Sequence, residues 1–389
     1  MKILLIQPCF ENFGGYFRSV GIARALAEKA NNVDLLISSK NNLLTTKKEK
    51  ETDHLSIYQL PRLNIHQFIN GKILRGVIAS FFIAFGKYDV IHIFEAVQPE
   101  TNIPLIFCKL INKKVILDID EEWMDNVMNQ KGKLMAAYMK YCDLKLTPRS
   151  DYLTVTSRYL VDKYRKLGVK NILKVINGVD LKQFTLMDKK EARRLLKIPQ
   201  KEKVLLAFGN TFEGERAYLL LKTYQEIWNE DKRIRLYTNF DPRKFFKDKR
   251  IKKEISPKCI NSINNLGYIS NDKLPSYLVS SDLVLFLMGN RASERACFPV
   301  RIGTYLNGEK VIAMNITDTE ACLTLKEMGC ALLGNDTKQQ AQLIILFLST
   351  PTLQRKLTKK VLLAKQRLSW ASISADLLRF YHYSYHDQN

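Results

Sequence analysis

Short apolar runs rich in β-branched residues recur along the chain, and longer stretches with helical spacing separate them. In the first half these are "KILLIQP", a helix over 16–29, "VDLLIS", a helix over 66–86, "DVIHIF", a helix over 100–111, "KVILDID", a helix over 131–146, and "YLTVTS". Nearly continuous apolar strands alternating with helices are the mark of a parallel sheet covered on both faces. A charged stretch, "MDKKEARRLLKIPQKEK" at 187–203, interrupts the rhythm. It then restarts with "VLLAFGN", a helix over 215–229, "IRLYTN", "INNLGYI", a helix over 273–280, "DLVLFLM", a helix over 299–306, "KVIAMN" and "CALLG". The pattern predicts an α/β chain of two doubly wound, Rossmann-like domains. Its 389 residues also exceed what one hydrophobic core usually serves. Two such domains facing each other enclose a cleft at the carboxyl ends of both sheets, where ligands of open α/β sheets bind.

Composition narrows the setting. The seven cysteines are scattered, with no Cys-x-x-Cys and no histidine at metal-ligand spacing. This favours a reducing, cytoplasmic compartment and packing roles for the thiols. The opening "MKILLIQPCF" reads as a first strand rather than a secretion signal. The most apolar stretch, "ILRGVIASFFIAF" at 73–85, contains Arg75 and falls short of the about 18 apolar residues that spanning needs. Ile73, Val77, Phe81 and Phe85 share one helical stripe, which suits a core helix or a helix with one face in a lipid interface. The net charge of +22 is spread over both halves, with local knots at "KKEK" (47–50) and "RKFFKDKRIKK" (243–253). Such knots are ordinarily solvated faces, and they also suit peripheral contact with the anionic inner face of a plasma membrane. Nucleic acid is disfavoured as a partner, because no zinc finger, RNP-type aromatic signature or helix-turn-helix accompanies the charge.

Candidate chemistry sits at strand ends. Gly14 and Gly15 lie between the first strand and the first helix, a place where backbone N–H groups can face an anion or a sugar hydroxyl. "VILDIDEEW" (115–123) carries Asp118 and Asp120 as an Asp-x-Asp pair, open to reading as a metal clamp or as the polar end of a buried strand. Glu121 and Glu122 read as solvent-side or helix-starting acids. His92 ends the strand "DVIHIF", either as a satisfied strand-end histidine or as a catalytic one, and Glu95 follows it.

Longer motifs carry a resemblance. "SDYLTVTSRYLVDKYRKLGVKNILKVINGVDLKQF" (150–184) resembles the signature of the GT-B family 4 retaining glycosyltransferases, also called glycosyl transferases group 1. Ile176, Asn177, Gly178, Val179, Asp180 and Phe184 match in order. "INNLGYISNDKLPSYLVSSDLVLFL" is similar through Leu266, Gly267, Leu274, Tyr277 and Asp282. "CFPVRIGTYLNGEKVIA" is similar through Pro299, Arg301, Ile302, Tyr305, Leu306, Gly308 and Val311. "LSWASISADLLRFY" (368–381) resembles the closing tryptophan-bearing helix that returns to the first domain.

The resemblance implies an acceptor-side domain over 1–186, a nucleotide-sugar-binding domain over 187–368, and a closing helix over 369–389. It implies transfer of a sugar, with retention, from a nucleotide-diphosphate-sugar to a glycan or lipid-linked acceptor of surface polysaccharide or lipopolysaccharide biosynthesis. Neither a metal nor a further cofactor is implied: cationic side chains and a helix N-terminus take up the leaving diphosphate. Asp120 stands where many relatives place a histidine beside the transferred sugar, so Asp120 and His92 are the catalytic candidates of the first domain. Donor-binding positions fall on Gly14, Gly15, Asn210, Arg216, Arg295, Pro299, Arg301 and Thr304. Asn210 and Glu215 stand where the family has an arginine and a lysine, and Arg216 lies one residue beyond. Ala296 and Thr304 replace its two glutamates, leaving Glu294, two residues off, as the remaining catalytic candidate. These departures motivate an alternative, a non-catalytic nucleotide-sugar or glycan binder on the same fold.

Overall fold

The computed structural model describes residues 1–389 apart from 12–13, 42–43, 63–70, 123–131, 184, 210–213 and 388–389. Phe184, Asn210 and the first residues of the helix expected from 66 lie outside the described residues. The chain forms two compact units. Met1–Gly178, Arg295–Val300 and Trp370–Asn389 make the first; Val179–Glu294 and Arg301–Ser369 make the second.

The first unit is built on an eight-stranded sheet: β1 (Lys2–Ile6), β2 (Asn32–Ser38), β3 (Lys47–Thr52), β4 (Leu55–Leu60), β5 (Val90–Phe94), β6 (Ile116–Ile119), β7 (Tyr152–Val155) and β8 (Ile172–Lys174). Their order is β3-β4-β2-β1-β5-β6-β7-β8, and all pairs are parallel except β3 with β4. Helices α1 (Gly14–Ala27), α2 (Lys72–Phe85), α3 (Pro99–Leu110), α4 (Gly132–Tyr141) and α5 (Arg158–Lys166) follow strands, and a final helix, Trp370–His386, closes the chain. The period-2 alternation of β1 splits its side chains between two cores. Ile3 and Leu5 join the core with Ile22, Leu26, Trp370 and Leu377, beneath α1 and the final helix. Leu4 and Ile6 join the opposite core with Ala79, Ile83, Leu105 and Leu160, beneath α2, α3 and α5. Burial on both faces is why these strands read as unbroken apolar runs.

Three elements depart from the sequence pattern. The charged run beginning "KKEK" is an exposed strand, β3, paired antiparallel to β4 at the sheet edge. Lysines there leave the open edge unattractive to another strand. In α2 the expected apolar stripe, Ile73, Val77, Phe81 and Phe85, is the exposed side, whereas Arg75, Gly76, Ala79 and Ile83 face inward. Arg75 is buried because Glu100 meets it at 2.5 Å and the Pro61 carbonyl accepts from it at 3.0 Å. Glu122, read as a solvent-side or helix-starting acid, is buried and accepts from Lys163 Nζ at 2.6 Å.

The second unit has six parallel strands, β9 (Lys203–Ala207), β10 (Ile234–Thr238), β11 (Asn264–Asn265), β12 (Leu283–Leu285), β13 (Ile312–Asn315) and β14 (Ala331–Gly334), in the order β11-β10-β9-β12-β13-β14. The charged stretch at 187–203 contains a docked helix, Lys189–Leu195, capped by Asp188. Its Arg193 is buried and donates to Asp282 at 3.0 Å, and Asp282 also accepts from the Val204 amide at 2.7 Å. Asp282 thereby ties this helix to β9, which explains an aspartate at that motif position.

Gly178 ends the first unit's long segment, and its place in the motif has a steric cause. A Cβ at Gly178 would lie 2.5 Å from the Trp370 ring, and one at Gly21 would lie 2.2 Å from it. The indole fills the space that both glycines leave open. We expect Gly21→Ala to cost about 1–3 kcal/mol of stability, the usual cost of overpacking, seen as a lower urea midpoint. Part of the loss should return when Trp370→Leu is added, as a double-mutant cycle would show.

Candidate functional site

Within the first unit, a buried polar network ties α1 to the middle of the sheet. Arg18, on α1, is fully buried; its Nε and Nη2 donate to Asp118 Oδ1 and Oδ2 at 2.8 and 2.7 Å, and its Nη1 donates to Asn177 Oδ1 at 3.1 Å. Asn177 Nδ2 in turn donates to the Phe298 carbonyl at 2.6 Å. Thr154 on β7 donates its hydroxyl to Asp118 Oδ2 at 2.6 Å. That hydroxyl proton is committed, so the 3.0 Å contact from His92 Nε2 has the imidazole as donor. His92 Nδ1 then accepts from the Tyr381 hydroxyl at 2.5 Å. Both ring nitrogens of His92 are bonded inside the protein, to Tyr381 and Thr154. Burial holds the imidazole neutral, lowering its pKa to about 4; Asp118 works against this shift and Arg18 adds to it. Asp118 is likewise engaged at both oxygens. Burial alone would raise its pKa, but the Arg18 guanidinium holds it below the usual carboxylate range. Asp118 therefore has its carboxylate committed to protein donors, and Asp-x-Asp is not a matched pair.

Asp120 lies just beyond β6, half-buried, and its carboxyl is pushed up to about 7, first by burial and then by Glu121 and Asp118. Glu95, just beyond β5, is buried with φ of 63° and has one carboxyl oxygen, Oε2, without a hydrogen-bond partner. Burial, with Asp120 and Glu121 nearby, raises Glu95 well above the carboxylate norm. The carboxyl end of this sheet thus holds acids whose hold on a proton is strengthened by burial and by one another. Such groups can donate to or accept from hydroxyls, which is the equipment of acid–base chemistry or polyol recognition. Gly15 sits close over Gln7, which donates to its carbonyl at 2.9 Å, while Gly14 opens α1 in open space.

The donor positions are divided between the units. Arg295 and Pro299 belong to the first, and Arg216, Glu294, Arg301 and Thr304 to the second. Arg295 lies over the Tyr159 ring at 5.1 Å, and its buried Nε has no hydrogen-bond partner. In the second unit Glu294 is buried and accepts from the Gly289 and Arg291 amides at 2.9 and 3.2 Å, and it pairs with Arg216. A Cβ at Gly289 would come within 2.4 Å of Glu294 Oε2, so a side chain there would displace the carboxylate. Burial alone would raise the Glu294 pKa, but Arg216 holds it down. Glu294 and Arg216 are brought together, though as partners that neutralise each other and order the 289–294 loop. Arg301 is half-buried in the first turn of the helix Val300–Asn307, and Thr304 is buried one turn later.

No protein-family model matches the sequence, and no curated protein sequence matches it. Solved structures do share its fold. Sucrose-phosphate synthase from Thermosynechococcus elongatus superposes with a TM-score of 0.70 at 15% identity, covering 100% of each chain. Anabaena HepE in complex with UDP-glucose gives 0.68 at 12% identity over 98% of this chain and 100% of that one. WaaG, a glycosyltransferase involved in lipopolysaccharide biosynthesis, gives 0.66 at 11% over 96% and 98%. The fold class is therefore GT-B, two Rossmann-like units as in these glycosyltransferases. The expected resemblance holds at the level of fold.

Two measurements bear on the network. His92 has a depressed pKa, so its contribution to stability is full above about 6.5 and is lost as pH falls toward 4. Wild type should lose up to about 3 kcal/mol through that window beyond what His92→Asn loses, in urea titrations at a series of pH values. Asp120 has a raised pKa, so its contribution is present below the ordinary carboxylate pKa and is lost as pH rises through about 7. Asp120→Asn should therefore match wild type near pH 4 and exceed it in stability at pH 8.

Proposed function

We propose that the protein is a retaining, metal-independent glycosyltransferase. It moves a sugar from a nucleotide-diphosphate-sugar to a glycan or lipid-linked acceptor in surface polysaccharide or lipopolysaccharide synthesis, on the cytoplasmic side. The observation that carries this reading is the GT-B fold over the whole chain, combined with motif residues that resemble the family in order along both units. HepE was crystallised with UDP-glucose and WaaG acts in lipopolysaccharide biosynthesis, which favours a nucleotide-sugar donor and a cell-surface product.

In this reading the second unit holds the donor. Arg301, in the first turn of its helix, meets the diphosphate with the helix N-terminus, and Pro299, Thr304 and Asn210 line the donor by carry-over from the family pattern. Arg295, whose buried Nε has no hydrogen-bond partner, remains a donor-binding candidate by its place in the sequence. Gly14 and Gly15 offer backbone N–H groups. Asp120, near its titration midpoint at neutral pH, meets a hydroxyl of the sugar or acceptor. All cysteines are free thiols, which agrees with a reducing compartment.

One observation favours the second reading, a binder without transfer. Glu294 and Arg216, two residues the chemistry would use, are bound to each other. A panel of UDP-, GDP-, ADP- and TDP-sugars separates the readings. A transferase hydrolyses one donor slowly in the absence of acceptor, whereas a binder gives a thermal shift with that donor and no released nucleotide. With the active donor, Arg301→Ala should lower turnover by about a hundredfold or more at unchanged melting temperature, because the developing charge loses its partner. Unchanged kinetics would remove Arg301 from the site, and activity lost to EDTA and restored by Mn²⁺ would overturn metal independence.

A further inference from the structure

Among the described residues, the first unit exposes an apolar face on helices that present no exposed acid. On α2 the exposed side chains are Ile73, Leu74, Val77, Phe81 and Phe85, and the Phe81 and Phe85 rings stack at 6.1 Å. Steps of four residues put Ile73, Val77, Phe81 and Phe85 on one stripe, opposite the buried Arg75, Ala79 and Ile83. On α3 and just after it, Ile106, Leu110 and Ile111 are exposed, Leu110 by 79%. Helices α2 and α3 pack backbone to backbone: a Cβ at Gly76 would lie 2.9 Å from the Pro99 carbonyl. Their outer faces therefore adjoin. Asn102 of α3 donates to the Tyr138 hydroxyl at 2.8 Å, which brings α4 alongside with Leu134, 83% exposed, and Tyr141. Among the described residues, most of the large apolar side chains exposed in the first unit lie on these three helices.

Scattered exposed leucines are normal, but a contiguous patch of this kind marks an interaction surface. Its charge selects the partner. Helices α2 and α4 contain no acid, and the one acid of α3, Glu100, is buried against Arg75. Lys87, Lys133 and Lys140 are exposed around the apolar residues, and Lys109, also exposed, pairs with Asp151 at 2.8 Å. A second copy of this chain would set Lys87, Lys133 and Lys140 against the same three lysines, with no acid on α2 or α4 to pair with them. An anionic bilayer answers both features, since phenylalanine and leucine enter the acyl boundary while lysines reach the headgroups.

We propose that the outer face of α2, α3 and α4 docks the first unit on an anionic lipid surface. No helix among the described residues is long and apolar enough to cross a membrane, so this contact is interfacial. Vesicle binding needs no turnover, so its outcome is separate from whether sugar transfer is found.

The test is co-sedimentation of the full chain with phosphatidylglycerol-containing vesicles, against pure phosphatidylcholine vesicles. The expected result is pelleting with the anionic vesicles only, weakening as NaCl is raised. Phe81→Ser with Phe85→Ser should reduce affinity by about tenfold or more at unchanged far-ultraviolet circular dichroism. Leu110→Ser on the neighbouring helix should weaken it as well, and Leu363→Ser, exposed in the second unit, should not. Absence of pelleting, equal pelleting of the double variant, or a dimer in light scattering that the double variant dissolves would each overturn the proposal, the last by assigning the face to self-association.

Discussion

The first unit depends on the ion pair between Arg18 and Asp118. Both groups are buried, and a charge taken from water is tolerable only when its partner and hydrogen bonds are complete. Here the two guanidinium–carboxylate contacts, the Thr154 hydroxyl and the Asn177 amide supply them. Removing one partner from such a pair typically costs about 3–5 kcal/mol, because the other charge stays behind in low dielectric. The pair joins α1 to β6, reaches β7 through Thr154, and reaches the final helix through His92 and Tyr381. It also holds the strand whose next residues are Asp120 and Glu121.

The same physical logic operates in the second unit with a different result. Glu294 is buried, so it requires donors, and it takes them from two amides and from Arg216. That arrangement stiffens the loop preceding the helix at Val300. It also commits Arg216, one residue beyond the family's lysine position, to a carboxylate, so the proposed donor chemistry leans on Arg301.

Positive charge plays distinct parts in different places. Lysines on β3 protect a sheet edge, Lys189 and Arg193 fasten a helix to Asp282, and lysines around α2, α3 and α4 border an apolar face. A net charge of +22 therefore does not describe one basic surface.

The sequence by itself determined the alternation of strands and helices in both units. Parallel strands buried on two faces must be apolar throughout, so their period is visible locally. Edge strand β3 was invisible for the converse reason, since exposed charges carry no such period. Asp120 was legible as a polar residue at a strand end. What only the tertiary structure decided was who pairs with whom. Arg18 and Asp118 stand 100 positions apart and Arg216 and Glu294 stand 78 apart. Whether an arginine is a ligand-facing cation or half of a buried pair depends on the desolvation and proximity that folding creates, and no local pattern encodes either. The stripe on α2 follows the same rule: spacing placed its residues on one face, and the packing of Arg75 against Glu100 decided that the opposite face would turn inward.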